Sequence, residues 1–549
     1  MKRELLLTTS LATLLSVAQG AQQPKKNILV IMTDDQTYNS IHALGNNDVI
    51  TPNFDKMVEQ GVTFTHHYAT TSISMASRAC LMTGMYEYKS GCNFMRGGLT
   101  TAQFESSYPV LLREDGYYTG FGGKFGFPVV DEDVDDIQTT NKYLPKESFD
   151  SFAGQGHHIF FPTKMSENIR QYADEYPHLT RALGAYGVDV IDEAQRQQKP
   201  FCLSLYFKAP HGPIVLDPMF TDIYKDTVFS KPENYGREFQ KDLAPQSMLG
   251  RQHLQHYGQL DTDYQQECYK LNTLIYGVDY VLGQLFDALK ERGLDQNTVV
   301  IFTSDNGTAL GEHALYGKVL PYESTSRVPL IVWDPSNSQN GGKFTAALAG
   351  NVDITATILD YAGVKAPSNM DGRTLRKVVE NPDTGEAREY LPLINTWGNP
   401  QIHSLSVVSK EHKYIYWSFA EGMGASEELY DCTNDPLELK NLMKDSQYAE
   451  VVKQMQKAYD KQLKVWKKEC VQRYEYPNYV TIFDRNVPWS EKRQLIDEQS
   501  WEVYDLMLKS FNYTDDKFNY RKVLKAVYQK DSEARVANSQ EPERFYMDR

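Results

Sequence analysis

A chain of 549 residues can bury a large core and exceeds the usual size of one domain, so at least two domains are expected. With 41% hydrophobic and 23% charged residues, its make-up is that of an ordinary globular protein. The net charge of −15 excludes a general nucleic-acid binder, because phosphate contacts need a basic face. An anionic substrate has to be held by a local basic pocket or a metal, against the mean field of the protein.

The first residues, "MKRELLLTTSLATLLSVAQGAQQ", combine a basic start, an apolar stretch too short to span a bilayer, and small residues at Ala18 and Gly20. This is the pattern of a cleaved secretory signal over residues 1–20. It predicts an exported chain, periplasmic or secreted, with no membrane anchor. Six cysteines (Cys80, Cys92, Cys202, Cys268, Cys432 and Cys470) are too few for a disulfide scaffold, although Cys80 and Cys92 could pair in an oxidising compartment. Cys202, inside "FCLSLYF", reads as a buried thiol.

Along the chain, "NILVIMTDDQ" is a continuous apolar run ending in Asp34 and Asp35, the way a fully buried parallel strand reads. Thr51 and Pro52 predict a helix start, a cap followed by proline at the first helical position. Next, "TSISMASRACLMTG" sets Ser74 just before a short helix. A serine there is either an N-cap, its hydroxyl satisfying a backbone N–H, or a functional group.

A second apolar run, "FCLSLYFKAPHGP", ends at His211, and a third, "TVVIFTSDNG", ends at Asp305 and Asn306. Between them Leu271, Leu274, Ile275, Val278, Leu282, Leu285, Phe286 and Leu289 recur at helical spacing and form one apolar face, read as core. In an open α/β sheet the functional groups gather at the carboxyl ends of the strands, so these three run ends are expected to converge. Past about Gly385 the pattern changes. "SLSVVSKEHKYIYWSF" reads as two strands and a polar turn, and Tyr448, Val452, Met455, Tyr459, Leu463 and Trp466 mark an amphipathic helix.

The expected organisation is therefore an α/β catalytic domain over residues 21–385, with a large mixed, mostly parallel sheet flanked by helices. A smaller C-terminal α+β domain follows over 386–473. From Tyr474 the chain is aromatic and charged without clear period, read as an extension (474–549) wrapped on the body, its last twenty residues solvated.

Asp34, Asp35, Asp305 and Asn306 are two pairs of hard oxygen ligands at the ends of two predicted strands. Carboxylates and an amide carbonyl, without histidine or cysteine, suit calcium or magnesium better than zinc.

Here the chain resembles a known family. Ser74-x-Ala76-Ser77-Arg78-x₄-Thr83-Gly84 is similar to the signature of the formylglycine-dependent sulfatases of the alkaline phosphatase superfamily, in its serine-type bacterial carbohydrate-sulfatase group. That signature is a cysteine or serine followed by x-Pro/Ala-Ser-Arg-x₄-Thr-Gly. Further segments match in family order and cover most of the chain: "ILVIMTDDQ", "TPNFDKMVEQGVTF", "DGYYTGFGGK", "FKAPHGP", "VIFTSDNGTALGEHALYGK", "YESTSRVPLIV" and "ELYDCTNDPLELKNL".

The resemblance implies an alkaline phosphatase-like fold and hydrolysis of the sulfate esters of a carbohydrate such as a glycosaminoglycan, mucin or algal glycan. It implies oxidation of Ser74 to formylglycine by a transient maturase, and a calcium ion on Asp34, Asp35, Ser74, Asp305 and Asn306. Arg78 then holds the oxygens of the modified residue, while Lys124 and Lys318 hold the sulfate. His211 protonates the leaving alcohol, and His313 contacts sulfate or acts as an acid. The chemistry suits these groups: a sulfate ester is negative and poorly electrophilic, and it leaves behind an alkoxide. A hydrated aldehyde offers one oxygen to attack sulfur and a second to expel sulfate.

Two departures stand out. Ala76 occupies a place where proline is common, an accepted variant. Gly126 in "GKFGF" stands where many members have a histidine assigned to the modified residue; His66, His67, His157 and His158 are spare histidines. Two rival readings are carried: a phosphoester hydrolase using unmodified Ser74 with two transition metals, which needs extra histidine and aspartate ligands, and a catalytically dead binder of sulfated glycans.

Overall fold

A computed structural model describes residues 25–131, 140–510, 519–538 and 540–541. The expected signal segment, residues 1–20, lies outside them. The first apolar run forms β1 (Asn27–Asp34), buried along its whole length. Its alternation explains why it has no polar face. Ile28, Val30 and Met32 enter one core, with Val299, Ile301 and Tyr206, while Leu29 and Ile31 enter a second one on the opposite face.

The remaining strands of the main sheet are β2 (Val62–Phe64), β3 (Tyr118–Lys124), β4 (Ser151–Gln155), β5 (Phe201–Pro210), β6 (Thr298–Ser304), β7 (Leu330–Trp333) and β8 (Lys343–Thr345). Their order is β8-β2-β7-β6-β1-β5-β3-β4, and only β7 runs antiparallel to its neighbours. Register brings the ends of the central strands level: Thr33 pairs with Ser304, Asp34 with Pro210, and Lys124 with Gln155. The predicted convergence at one sheet edge is what the fold shows.

Five helices matter to the site: α1 (Pro52–Gln60), α2 (Ser74–Thr83), α3 (Leu179–Arg196), α4 (Tyr264–Glu291) and α5 (Val352–Ala362). The apolar stripe on α4 packs with α3 against β1 and β5, apart from Leu271, which is half-buried and lines a cleft. Thr51 precedes α1 as expected but does not cap it. Its hydroxyl accepts from the His42 N–H (2.9 Å) and donates to Asp55 (3.1 Å), so a loop contact outcompetes the cap.

Helix α2 is buried at all ten positions. Met75, Ala79, Leu81 and Met82 belong to the sheet core, and Cys80 to the core of the C-terminal domain. That smaller domain is an antiparallel sheet, β9 (Leu391–Asn395), β10 (Ser404–Val408), β11 (His412–Trp417) and β12 (Ser426–Asp431), covered by α6 (Ala449–Glu469) through Met455, Tyr459, Leu463 and Trp466. All six cysteines are buried free thiols, Cys80 and Cys92 included.

Beyond residue 474, where the sequence showed no clear period, the chain forms short helical segments, then α7 (Glu498–Ser510) and α8 (Tyr520–Ala537). Part of the stretch read as solvated is bonded to the body. Asp531 pairs with Arg237 and Arg535 with Asp261; on the same helix just before that stretch, Val523, Leu524 and Val527 pack on Met248, Leu254 and Phe419. Tertiary partners order this segment although its own pattern is weak. Among the described residues no helix is long and apolar enough to cross a membrane.

The smaller domain is pinned by a buried charge cluster. Lys413 on β11, with its side chain fully buried, donates to Glu323 (2.6 Å) and Glu438 (2.9 Å). Lys413→Ala leaves both carboxylates without their cation and is expected to cost about 3–5 kcal/mol, read as a lower midpoint in urea denaturation. A loss under about 1 kcal/mol, the range of a surface pair, would show that the cluster does not hold the domain.

Candidate active site

Ser74 occupies the first turn of α2, and the N-cap position falls to Ile73. Its hydroxyl satisfies no helix N–H. It donates instead to Asp34 Oδ1 (3.1 Å), stands 3.5 Å from Asn306 Oδ1 and accepts from Lys318 Nζ (3.0 Å). The capping reading is thereby set aside by geometry. The start of α2 points its unpaired backbone N–H groups and positive dipole end at the same place, a setting that favours anions.

Around Ser74 three carboxylates meet three cations. Arg78, one turn along α2, bonds Asp305 through Nε (2.9 Å) and lies 3.3 Å from Asp34 through Nη2. Lys124, at the end of β3, pairs with Asp34. Lys318 donates to Asp35 Oδ1 (2.6 Å). All are buried or nearly so. Burial would raise the Asp34 carboxyl, but Lys124, His211, Arg78 and Lys318 overcome it and hold the group well below the usual carboxylate range. Burial raises Asp35 against Lys318, and raises Asp305 with help from Asp34. For Lys318 burial works the other way, yet Asp35 and Asp34 outweigh it and its pKa is raised.

Asp35 carries a left-handed backbone, φ 73°, a conformation costing a non-glycine residue about 1–3 kcal/mol. It is held there by a hydrogen bond from its N–H to Asp305 Oδ1 (3.1 Å), and by the Gln36 N–H donating to Ser304 Oγ (3.0 Å). The strain turns Asp35 back toward Asp34 and Asn306, whose amide donates to Asp35 Oδ1 (2.6 Å).

The oxygen set fits a hard divalent cation. Oxygens bound to calcium at ~2.3–2.6 Å stand roughly 3–3.6 Å from one another, and the Ser74–Asp34 and Ser74–Asn306 separations fall in that range. With three carboxylates balanced by three cations, a divalent ion would leave the pocket net positive and ready for an anion. His211 adds a nitrogen donor: Asp34, Asp35 and His211 offer ligand atoms within 4.8 Å of one another.

His211 follows β5 and lies 3.7 Å from Asp35 Oδ2. Burial pushes its pKa down to about 3, the cations Lys318 and Lys124 adding to the effect and Asp34 opposing it. Lys208 holds the turn, donating to the carbonyls of His211 (2.8 Å) and Gly212 (2.7 Å). Lys208 lies inside "FKAPHGP" but carries no distinctive local signal, because a lysine at the end of a strand is ordinarily solvated, and only the turn it bonds gives it this role.

His313 is not brought into this cluster. One ring nitrogen is 3.1 Å from the Phe239 carbonyl and the other 2.8 Å from that of Leu437, and its cavity, shared with Glu233 and Leu437, is a different one. It ties the loop before Lys318 to the C-terminal region. Its motif position is matched, but the two carbonyls claim the ring.

Gly126 has φ +90°, and a Cβ built on it would stand 2.7 Å from Arg78 Cδ. No side chain fits there while Arg78 keeps its place. Of the spare histidines, His67 is buried against the Val328 carbonyl (3.4 Å), away from the cluster. His157, two residues past the end of β4, stands edge-on to Phe94 at 4.5 Å, and burial with the charge of Lys124 pushes its pKa to about 3. Only the pairing of β4 with β3 places it near Lys124.

A buried serine hydroxyl, cations paired with carboxylates that a metal could share, and an outlet past His211 into a cleft of about 290 Å³ together suit one task. That task is the hydrolysis of an ester of a small tetrahedral oxyanion. The sequence comparisons narrow the class: residues 26–364 match the sulfatase family model, and residues 311–465 match the C-terminal region of N-sulphoglucosamine sulphohydrolase. The chain belongs to the sulfatase family, and its reaction class is sulfuric ester hydrolysis.

It is 26% identical to the N-acetylglucosamine-6-O-sulfatase of Bacteroides thetaiotaomicron, over 84% of this chain and 91% of that protein. The arylsulfatase of Clostridium perfringens is also 26% identical, over 80% and 94%. Among solved structures, one in complex with its substrate D-glucosamine-2-N,6-O-disulfate superposes with a TM-score of 0.64 at 24% identity, covering 81% of this chain and 98% of that one. The phosphonate monoester hydrolase of Agrobacterium radiobacter gives 0.66 at 22% identity, covering 82% and 97%. At these identities the structural likeness is one of fold, and it agrees with the expected alkaline phosphatase-like architecture.

Gly126→Ala is expected to displace Arg78, to lower kcat at least tenfold on an aryl sulfate and to lower the unfolding midpoint as well, because alanine is strained at φ +90° and Arg78 pairs with two buried carboxylates. Wild-type kcat in that variant would show that the contact does not position Arg78.

Proposed function

We propose that this protein is an exported carbohydrate sulfatase that works through a formylglycine made from Ser74 by a maturase and through one bound calcium ion. The observation that carries the reading is the Ser74 hydroxyl, buried at a helix start between Asp34, Asn306 and Lys318 rather than used as a cap. Sulfated sugars as substrates rest on relatives that include the N-acetylglucosamine-6-O-sulfatase and an ulvan-active sulfatase. Export rests on the first twenty residues.

Asp34, Asp35, Asp305, Asn306 and residue 74 would hold the calcium, which supplies charge for the nucleophile and the sulfate oxygens. As the hydrated aldehyde, residue 74 would supply the oxygen that attacks sulfur. No histidine is bonded to the Ser74 hydroxyl among the described residues, so an unmodified serine there lacks a base and is a weak nucleophile. Arg78 steadies the oxygens of residue 74 and orients Asp305. Lys124 and Lys318 face the charge that builds on the sulfate; removing one such donor typically costs ~10²–10³ in kcat. His211 is neutral in the free cleft, and an incoming anion favours its charged form, from which it gives a proton to the leaving alcohol oxygen.

A second reading, a phosphonate or phosphate ester hydrolase with unmodified Ser74, has two observations in its favour. They are the phosphonate hydrolase among the structural neighbours and the Asp34–Asp35–His211 group. Maturation separates the two. Protein made in a host without serine-type maturase should be folded and inactive. Ser74→Cys, made where cysteine-type maturation operates, should gain sulfatase activity and the aldehyde mass, and Ser74→Ala should be inactive in every host. Full-rate turnover of a sulfate ester by unmodified Ser74 protein, verified by mass spectrometry, would overturn the formylglycine mechanism.

The role of His211 is read from leaving groups. His211→Ala is expected to lose ~10²–10⁴ in kcat on sugar sulfates, whose alkoxides leave badly, and much less on an activated aryl sulfate. A uniform loss on both would assign His211 to binding alone.

A further inference from the structure

The cleft next to Lys318 does not end at the sulfate pocket. Its wall includes Arg251, Gln252 and His256, and Arg251 is also part of a second cavity of about 330 Å³ formed with Trp397, Asn399 and Gln499. At about 290 and 330 Å³ the two cavities stand at the lower edge of the ~300–1,000 Å³ common for small-molecule sites, the scale of one sugar unit each. Arg251 is the residue common to both cavities, and it caps the start of a π-helical turn, Gln252–His256, whose Gln252 and His256 line the cleft. Such turns are rare and cluster at functional sites.

That turn is anchored to the catalytic machinery. Gln252, 2% exposed, lines the cleft and donates through Nε2 to the Lys318 carbonyl (2.8 Å), while its Oε1 is buried with no partner among the described residues. Arg251 is the opposite case, a charged group open to solvent inside a concave wall. Other arginines around the site are matched with acids: Arg78 with Asp34 and Asp305, Arg237 with Asp531, Arg96 with Asp497. Arg251 makes no ion pair among the described residues. Its guanidinium lies over the Trp397 ring at 4.6 Å, which fixes its plane and leaves its N–H edges for a ligand. In a protein of net charge −15, an unpaired arginine in a cleft is a local exception that selects anions.

We propose that Arg251, braced by Trp397 on a turn that Gln252 anchors to Lys318, forms a second anion subsite beside the sulfate pocket. The carbohydrate served by this enzyme then carries a second acidic group, a carboxylate or another sulfate, near the ester that is cleaved. This rests on the carbohydrate-sulfatase reading. An aryl sulfate with a single anionic group reaches only the first pocket and does not use Arg251.

The test uses full-length Ser74→Ala protein, which binds but cannot be matured. It is titrated calorimetrically with 6-O-sulfated glucosamine and galactose, with their disulfated forms, and with the 6-O-sulfated sugars linked to a uronic acid. At least one doubly anionic ligand should bind tenfold or more tighter than its monosulfated counterpart. Whether the disulfated or the uronic acid series does so identifies the second group. Adding Arg251→Gln should remove that preference while leaving monosulfated affinity within twofold, and Arg251→Lys should keep part of it. In matured enzyme, Arg251→Gln should leave p-nitrophenyl sulfate hydrolysis within twofold. The subsite is overturned if no doubly anionic ligand is preferred, if the preference survives Arg251→Gln, or if monosulfated binding falls equally. Failure of the sulfatase reading shows separately, as matured wild type that cleaves phosphonate monoesters and not p-nitrophenyl sulfate.

Discussion

Three carboxylates buried at one edge of a parallel sheet constrain everything around them. Asp34, Asp35 and Asp305 would each cost several kcal/mol if left unpaired in that position. Arg78, Lys124 and Lys318 neutralise them, and each cation comes from a different part of the chain: a helix, a strand end and a loop. The cluster can form only if those three elements are correctly placed. Stability of the fold and assembly of the site are thus one requirement.

Helix α2 transmits that requirement to the rest of the molecule. It is buried throughout, touching the sheet core through Met75, Ala79, Leu81 and Met82 and the C-terminal core through Cys80. Ser77 and Asn351 tie it further, with Asn351 Nδ2 donating to Ser77 Oγ at 2.8 Å. A helix packed on every side cannot shift by a fraction of an ångström without opening cavities, so Ser74 is held in place by ordinary core packing. The strain at Asp35 is tolerated for the same reason. Its neighbours overdetermine it.

The smaller domain also contributes to the surroundings of the site, with Trp397, beyond the end of β9, lining the second cavity that shares Arg251 with the cleft. A sulfate pocket made by the sheet edge alone would see only the ester. Walls added from the C-terminal region give the surroundings of that ester a chance to matter. This division suits a family in which a shared reaction meets varied substrates, because the reacting groups sit on rigid strand ends and the variable contacts on later segments.

The sequence alone determined the parts whose signal is local. Continuous apolar runs ending in acids specified buried parallel strands and the edge where function gathers, because strand burial and strand polarity are both written along a single segment. The spacing Ser74-x-Ala76-Ser77-Arg78, through its resemblance to a family signature, and the pairs Asp34–Asp35 and Asp305–Asn306 picked out residues that the fold brings together, since a motif is written within one stretch of chain. What only the tertiary structure decided depends on contacts between distant segments. His313 stood in a matching motif, yet two carbonyls from elsewhere take its ring nitrogens. Gly126 read as a missing histidine, and the fold shows its space filled by Arg78. The helices after residue 474 carry weak periodicity and gain their order from partners such as Arg237 and Phe419. Arg251 carried no motif at all. Its unpaired charge in a cleft is a property of what surrounds it, and surroundings are not encoded within any one stretch of chain.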